Sequence, residues 1–450
     1  MFWEKEGKLI YSYDGETVCI EAWGKDALRV RATKNRSFTG RDWALEAKDA
    51  HAGEVEIFED PSAKGGAFAN MYEGTDTSYG KITNGKLHAV IDSGSVITFY
   101  HEDGRVLLKE HFRRLRDEES MPLNIMGREY SNGVGDNFRI VARFVARKGE
   151  KIFGMGQYQQ HELDLKGCML ELAQRNSQVS VPFYLSSIGY GFLWNNPGVG
   201  QVMFANNGTE WVTESGKEID YLVIAGDTPA EIEENYMTLT GKPPMMPEYG
   251  MGFWQCKLRY WNQEQLLSVA RKYKELGVPL DVIVVDFFHW TKQGEFKFDP
   301  KYWPDVPGMC RELKEMGIQV VVSVWPTVDI YSENFEEMKE KGYLVRTEHG
   351  VPLTMLCGGN EVFFDATNPD ARTYVWEKIK KNYYDQGAKL FWLDVAEPEY
   401  SVYDFRNYRY QLGSVQEVGN VYPKYYLKAF YDGMTAEGDT MPISLIRSAW

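Results

Sequence analysis

The stretch Lys389-Leu390-Phe391-Trp392-Leu393-Asp394-Val395-Ala396-Glu397-Pro398-Glu399-Tyr400 decides how this chain is read. Leu390 to Leu393 are bulky and aromatic, as in a strand buried on both faces. Asp394 follows directly, an ionised carboxylate that a buried strand carries only at high cost. Glu397 and Glu399 come next, and Pro398 between them ends any regular ladder. Acids at the mouth of an apolar strand fit the C-terminal rim of a parallel barrel, where active sites sit. The bland alternative is that they cap the next helix in water. Asp394, coming straight off the strand, argues for chemistry; for Glu399 both readings stay open.

Working outward, the region after Pro247 alternates strand and helix. Strands are expected at 251–255, 280–286, 318–325, 390–393 and 443–446. Helices are expected at 263–276, 308–316, 334–341, 367–382 and 423–434, and a hairpin at 343–356 turning at Glu348-His349-Gly350. This rhythm predicts a parallel sheet with crossover helices. An open doubly wound sheet usually carries a glycine-rich turn after its first strand, and none is here. Instead, Trp254, Asp286, Trp325, Asp394 and Arg447 recur at successive strand ends. That pattern fits a (β/α)8 TIM barrel of which about five strands are present, an incomplete barrel. Five strands alone would leave two sheet edges unpaired, so the chain is expected to be the N-terminal portion of a longer protein.

The first half reads differently. Residues 1–228 form short strands and turns, with hairpin signals at Asn84-Gly85 and Asp103-Gly104 and a weaker one at Ser93-Gly94. Phe138, Ile140, Ala142 and Phe144 alternate with Arg139, Val141, Arg143 and Val145, which predicts a half-buried strand. A β-sandwich is the expected architecture. In Phe153-Gly154-Met155-Gly156-Gln157 the glycines mark close backbone approach. Asp227-Thr228-Pro229 starts a helix, and Pro-rich 241–247 marks the boundary. The expected fold class is therefore α+β multidomain: sandwich 1–228, linker helix and Pro-rich connection 229–248, and barrel 249–450.

A net charge of −15 argues against nucleic acid or an anionic membrane surface as partner. No apolar run reaches bilayer-spanning length, and the N-terminus lacks an apolar signal core. The five cysteines are scattered, without zinc spacing, which fits reduced thiols in a cytoplasmic protein. No metal or cofactor is expected, and a homo-oligomer is left open. Aromatics at 14% suit both sugar platforms and β-rich cores.

The segment Phe391-Trp392-Leu393-Asp394-Val395-Ala396-Glu397 resembles the nucleophile signature of glycoside hydrolase family 31, the α-glucosidases and α-xylosidases. The resemblance extends over essentially the whole chain, through a galactose-mutarotase-like sandwich of which, in that family, one loop reaches over the barrel. It implies that Asp394 attacks the anomeric carbon and that Glu397 orients or hydrogen-bonds. It implies that Asp286 binds hydroxyls of the non-reducing sugar, and that the acid/base Asp lies beyond Arg447-Ser448-Ala449-Trp450, outside this chain. Phe288, two residues past Asp286, matches the aromatic that fills the space of a glucose hydroxymethyl in family α-xylosidases. Trp325, Trp392, Arg447 and Trp450 complete the expected substrate-binding set. The expected function is a retaining α-glycoside hydrolase releasing terminal α-xylose from an oligosaccharide. An α-glucosidase or α-transglucosylase on the same scaffold is the alternative; a non-catalytic carbohydrate-binding protein is the alternative of another class. Only His289 lies near a strand end, which discounts a metal-dependent barrel hydrolase.

Overall fold

The computed structural model describes residues 1–46, 49–59, 78–115, 123–176, 178–350, 360–398 and 404–447. The chain divides into two compact units, one of residues 1–173 and 180–243, the other of residues 174–179 and 244–450.

The first unit is built on antiparallel sheets. The largest contains Glu16–Trp23, Ala27–Thr33, Ile219–Ala225, Tyr190–Trp194 and Val179–Ser186 in that spatial order. A five-stranded sheet centred on Phe138–Phe144 and Gly208–Gly216 faces it through aromatic rings. Phe192 stacks on Trp211 at 5.2 Å, and Phe144 meets Tyr221 edge-on at 5.4 Å. Much of the aromatic content therefore serves as core here. Phe138–Phe144 largely keeps its alternation: Ile140, Ala142 and Phe144 are buried, Arg139 is exposed and Arg143 partly so, with the buried Val141 the exception.

Turn chemistry acts largely as expected. Asn84 pairs with Leu87 across a two-residue loop that uses Gly85 at φ +55°. In the 92–96 loop, however, Ser95 and not Gly94 takes the left-handed conformation. Gly154 (φ +111°) has no room for a Cβ, which would sit 2.9 Å from the Phe183 carbonyl oxygen. The helix Pro229–Thr240 starts on a reciprocal cap. The Thr228 side chain accepts from Glu231 N, and Glu231 accepts from Asp227 N at 2.8 Å. Its Ile232 and Leu239 pack against Trp23, Phe183 and Leu193.

The second unit carries a five-stranded parallel sheet: Trp254–Gln255, Val282–Val285, Gln319–Val324, Leu390–Leu393 and Ser444–Ile446, in that spatial order. Helices Gln263–Glu275, Val306–Glu315, Phe335–Glu340, Pro369–Ile379 and Tyr422–Ala436 lie between the strands in sequence. Each buries one stripe, such as Leu266, Leu267 and Ala270. The first strand is only two residues long, because Glu248–Met251 curls into a 3-10 turn. The turn expected at Glu348-His349-Gly350 is present, with Gly350 N donating to Thr347 O at 2.9 Å, and Arg346–Thr347 pairs with Tyr408–Arg409; the second arm of the expected hairpin, 351–356, lies outside the described residues. Residues 174–179 group with the second unit. Gln174 N donates to Asn420 Oδ1 at 3.2 Å, and the Arg175 guanidinium lies 4.7 Å over Phe405.

Among the described residues no helix is long and apolar enough to cross a membrane.

Candidate active site

Register brings the strand-end residues onto one face. Paired residues in a parallel sheet point the same way, and side chains repeat every second residue. Trp254 pairs with Val282, Val284 with Val321, Val321 with Leu390, and Trp392 with Leu445. Val282, Val284 and Val321 form a buried cluster, with Trp254, Leu390 and Trp392 packed against it. Continuing the alternation along each strand, through Ser323 opposite Trp392, brings Cys256, Asp286, Trp325, Asp394 and Arg447 to the same face, at the C-terminal rim. The floor is apolar and the rim is charged.

Asp286 is 7% exposed, and burial raises its carboxyl above the usual aspartate range, with the Asp394 charge adding to the rise. Its Oδ1 accepts from Phe287 N at 2.8 Å, and the Cys256 thiol lies 3.7 Å from Oδ2. Burial, then the Asp286 charge, pushes that thiol up to about 11.

Asp394 repeats the arrangement. Its Oδ1 accepts from Val395 N at 3.0 Å, and its own N–H donates to Val324 O at 3.0 Å, tying it to the neighbouring strand. Arg447 approaches Oδ1 at 3.9 Å and hydrogen-bonds through Nε to Glu397 Oε1. Glu397 is 1% exposed, and its Oε2 has no hydrogen-bond partner among the described residues. One cation thus bridges two acids, one nearly at the surface of the rim and one beneath it.

Backbone strain follows each acid. Val395 has φ +54° and Phe288 φ +62°, conformations that β-branched and aromatic residues rarely adopt. Each costs about 1–2 kcal/mol. At Phe288 the cost is offset by Arg259, which donates to its carbonyl at 2.8 Å, and by the His289 ring, 2.9 Å from Asp286 O. Each such bond contributes about 1 kcal/mol net. Left-handed residues one and two positions after strand-end acids mark places where geometry outweighs conformational preference.

The aromatic wall is continuous. Phe287 stacks on Trp325 at 5.2 Å, Phe288 leans on Phe287 at 4.4 Å, and Trp290 meets Trp325 at 6.1 Å. Phe288 itself is 49% exposed, on the open side of the wall. Trp392 lies one layer down, among the valines beneath Asp394. Trp450 and Glu399 lie outside the described residues. Sequence reasoning did not single out Cys256, Arg259, Trp290 or Tyr383. Cys256 was within reach, lying two residues beyond Trp254 on the same strand face. The others come from loops and a helix end with no periodicity to mark them. Among the described residues no group of three or more His, Cys, Asp or Glu could hold a metal ion.

The family model described as the glycosyl hydrolases family 31 TIM-barrel domain matches residues 243–450. The chain is 45% identical to an uncharacterized family 31 glucosidase, ORF2, of Pseudescherichia vulneris, over 99% of this chain and 83% of that protein. It is 29% identical to alpha-xylosidase A of Aspergillus niger, over 97% of this chain and 62% of that one. A solved family 31 alpha-xylosidase from a soil metagenome, crystallised with xylose, superposes with a TM-score of 0.91 at 50% identity. All of this chain is covered there, and 65% of that one, so the chain spans just under two thirds of the length of these two xylosidases.

Proposed function

This chain belongs to glycoside hydrolase family 31, and from that premise we propose that it carries the nucleophile of a retaining α-glycosidase acting on a terminal α-xylosyl group. The observation that carries the reading is the shared rim face: Asp394 off its strand, Arg447 off the strand beside it, and Asp286 two strands away on the other side. Asp394 attacks the anomeric carbon as the bond to the leaving oxygen breaks. A second carboxyl group protonates that oxygen, and none of the described strand-end acids is assigned that part. Water then attacks the glycosyl ester, so two inversions give net retention.

The remaining roles follow from chemistry. Asp286 accepts hydrogen bonds from sugar hydroxyls. Arg447 holds Asp394 and Glu397 in register and donates to hydroxyls. Trp325 and Trp392 supply apolar walls, Phe288 occupies the space of a hydroxymethyl group, and Trp450 extends the binding set. We read residues 1–228 as the sandwich, 229–248 as the connection, and 249–450 as the first part of the barrel. The scattered cysteines support a reducing, cytoplasmic setting.

The test is Asp394→Ala in the full-length protein. Turnover of p-nitrophenyl α-xyloside should fall by about 10⁴-fold or more with folding unchanged. An activated fluoroxyloside should label the wild-type residue covalently. Retained turnover removes the nucleophile assignment. An α-glucosidase is the reading favoured by identity to the P. vulneris glucosidase; α-glucoside turned over faster than α-xyloside would establish it.

A further inference from the structure

Behind Asp286 lies a buried pair of residues that the reaction scheme does not use. His289 is 2% exposed, with Nδ1 2.9 Å from Asp286 O and Nε2 2.9 Å from the Tyr383 hydroxyl. A carbonyl oxygen only accepts, so Nδ1 carries the proton. Nε2 is then a lone pair, and the Tyr383 hydroxyl donates to it. Burial lowers the imidazole to about 4, so the ring is neutral at neutral pH and both bonds keep this direction.

Tyr383 comes from the π-helical turn Lys380–Tyr384, which prolongs the helix Pro369–Ile379. Such a turn re-aims side chains and recurs at functional sites. Phe298 holds its ring edge-on at 5.1 Å. The far end of the relay is the carbonyl of Asp286. Between that carbonyl and the His289 ring the chain makes its left-handed step at Phe288, and Phe287 turns onto Trp325. Releasing the carbonyl frees the step that aims the Phe288 ring.

We propose that His289 and Tyr383 are positioning residues for substrate selection. They fix the Asp286–Phe288 segment, and through it the exclusion of sugars bearing a hydroxymethyl group at C5 in favour of pentopyranosides. The proposal rests on the α-glycosidase reading above.

Three variants of the full-length protein test it, with kcat/KM for p-nitrophenyl α-xyloside and α-glucoside measured beside thermal melting. Tyr383→Phe keeps the ring and removes one hydroxyl. It should lower the xyloside-to-glucoside ratio about fivefold. His289→Leu removes both bonds and should lower the ratio further. His289→Asn restores a donor near the Nδ1 position and should recover most of the ratio. A purely structural role would lower both substrates together. A ratio within twofold of wild type in Tyr383→Phe, or no rescue by Asn over Leu, overturns the proposal. Should His289→Leu not fold, Tyr383→Phe decides alone. Failure of the underlying reading is seen separately, as turnover surviving in Asp394→Ala.

Discussion

Phe288→Gly separates what this residue costs the fold from what it does for substrate choice. Glycine adopts φ +62° freely, so the change relieves about 1–2 kcal/mol of backbone strain. Against this, the ring pair with Phe287 at 4.4 Å is worth about 0.5–1.5 kcal/mol. The Arg259 guanidinium, 5.2 Å from the ring centroid, adds about 0.5–1 kcal/mol. The extra freedom of the unfolded glycine chain costs a further 0.4–1 kcal/mol or so. The sum is a net loss of about 1 kcal/mol, a Tm shift of about 3 °C or less. Selectivity should respond far more. A hydrophobic wall discriminates a hydroxymethyl by about 1–3 kcal/mol. Phe288 is 49% exposed, so one side of the wall is solvent and the lower part of that range applies. At 1.4 kcal/mol per tenfold, the ratio of kcat/KM for α-xyloside over α-glucoside should drop about tenfold, chiefly by gain on the glucoside. Parallel melting and kinetic assays on the full-length protein check both numbers. An unchanged ratio with a Tm loss typical of a core truncation would refute the argument, because Phe288 would then be packing and nothing more.

Other expectations follow from the charged groups. Arg447→Met strands the buried Glu397 carboxylate and should destabilise by about 3 kcal/mol, the lower end for a broken buried pair because Arg447 is itself 36% exposed. Adding Glu397→Gln should recover much of the loss in denaturant midpoints, and strict additivity would deny the coupling. His289 is held at about 4, below the ordinary 6.5, so the unfolded chain takes its proton first. Stability should fall as pH drops from about 6.5 to 4, by at most roughly 1.4 kcal/mol per unit, and the slope should flatten in His289→Asn. Glu361 has the opposite sign. Burial, then the charge of Asp329, pushes it up to about 7, so its folded form favours the proton. Its contribution is complete below about 4.5 and is lost as pH rises through 7. Glu361→Gln should therefore be more stable than wild type at pH 8, with the difference gone by pH 5.

What was legible in the sequence was whatever repeats locally. Runs such as Val282–Val285 and Gln319–Val324 stand out because strands buried on both faces need continuous apolar residues. Asp227-Thr228-Pro229 announced a helix start because a cap acts within three residues of itself. Local reading fell short where distant chain intervened. Val141, on the face its strand was expected to leave open, is buried. Arg346–Thr347 finds its partner at Tyr408–Arg409, beyond any turn signal.

The sequence by itself determined that acids stand at the ends of apolar strands, since a carboxylate breaking a hydrophobic run is visible in one dimension. Only the tertiary structure decided which of them meet. Parallel pairing carries Asp286, Trp325, Asp394 and Arg447 to one rim, because register and not sequence distance sets which side chains share a face. The left-handed backbone at Phe288 and Val395, and the His289–Tyr383 pair across 94 residues, were likewise invisible beforehand. Strain of that kind persists only where surrounding packing and hydrogen bonds outweigh local preference, and those exist only once the chain has folded.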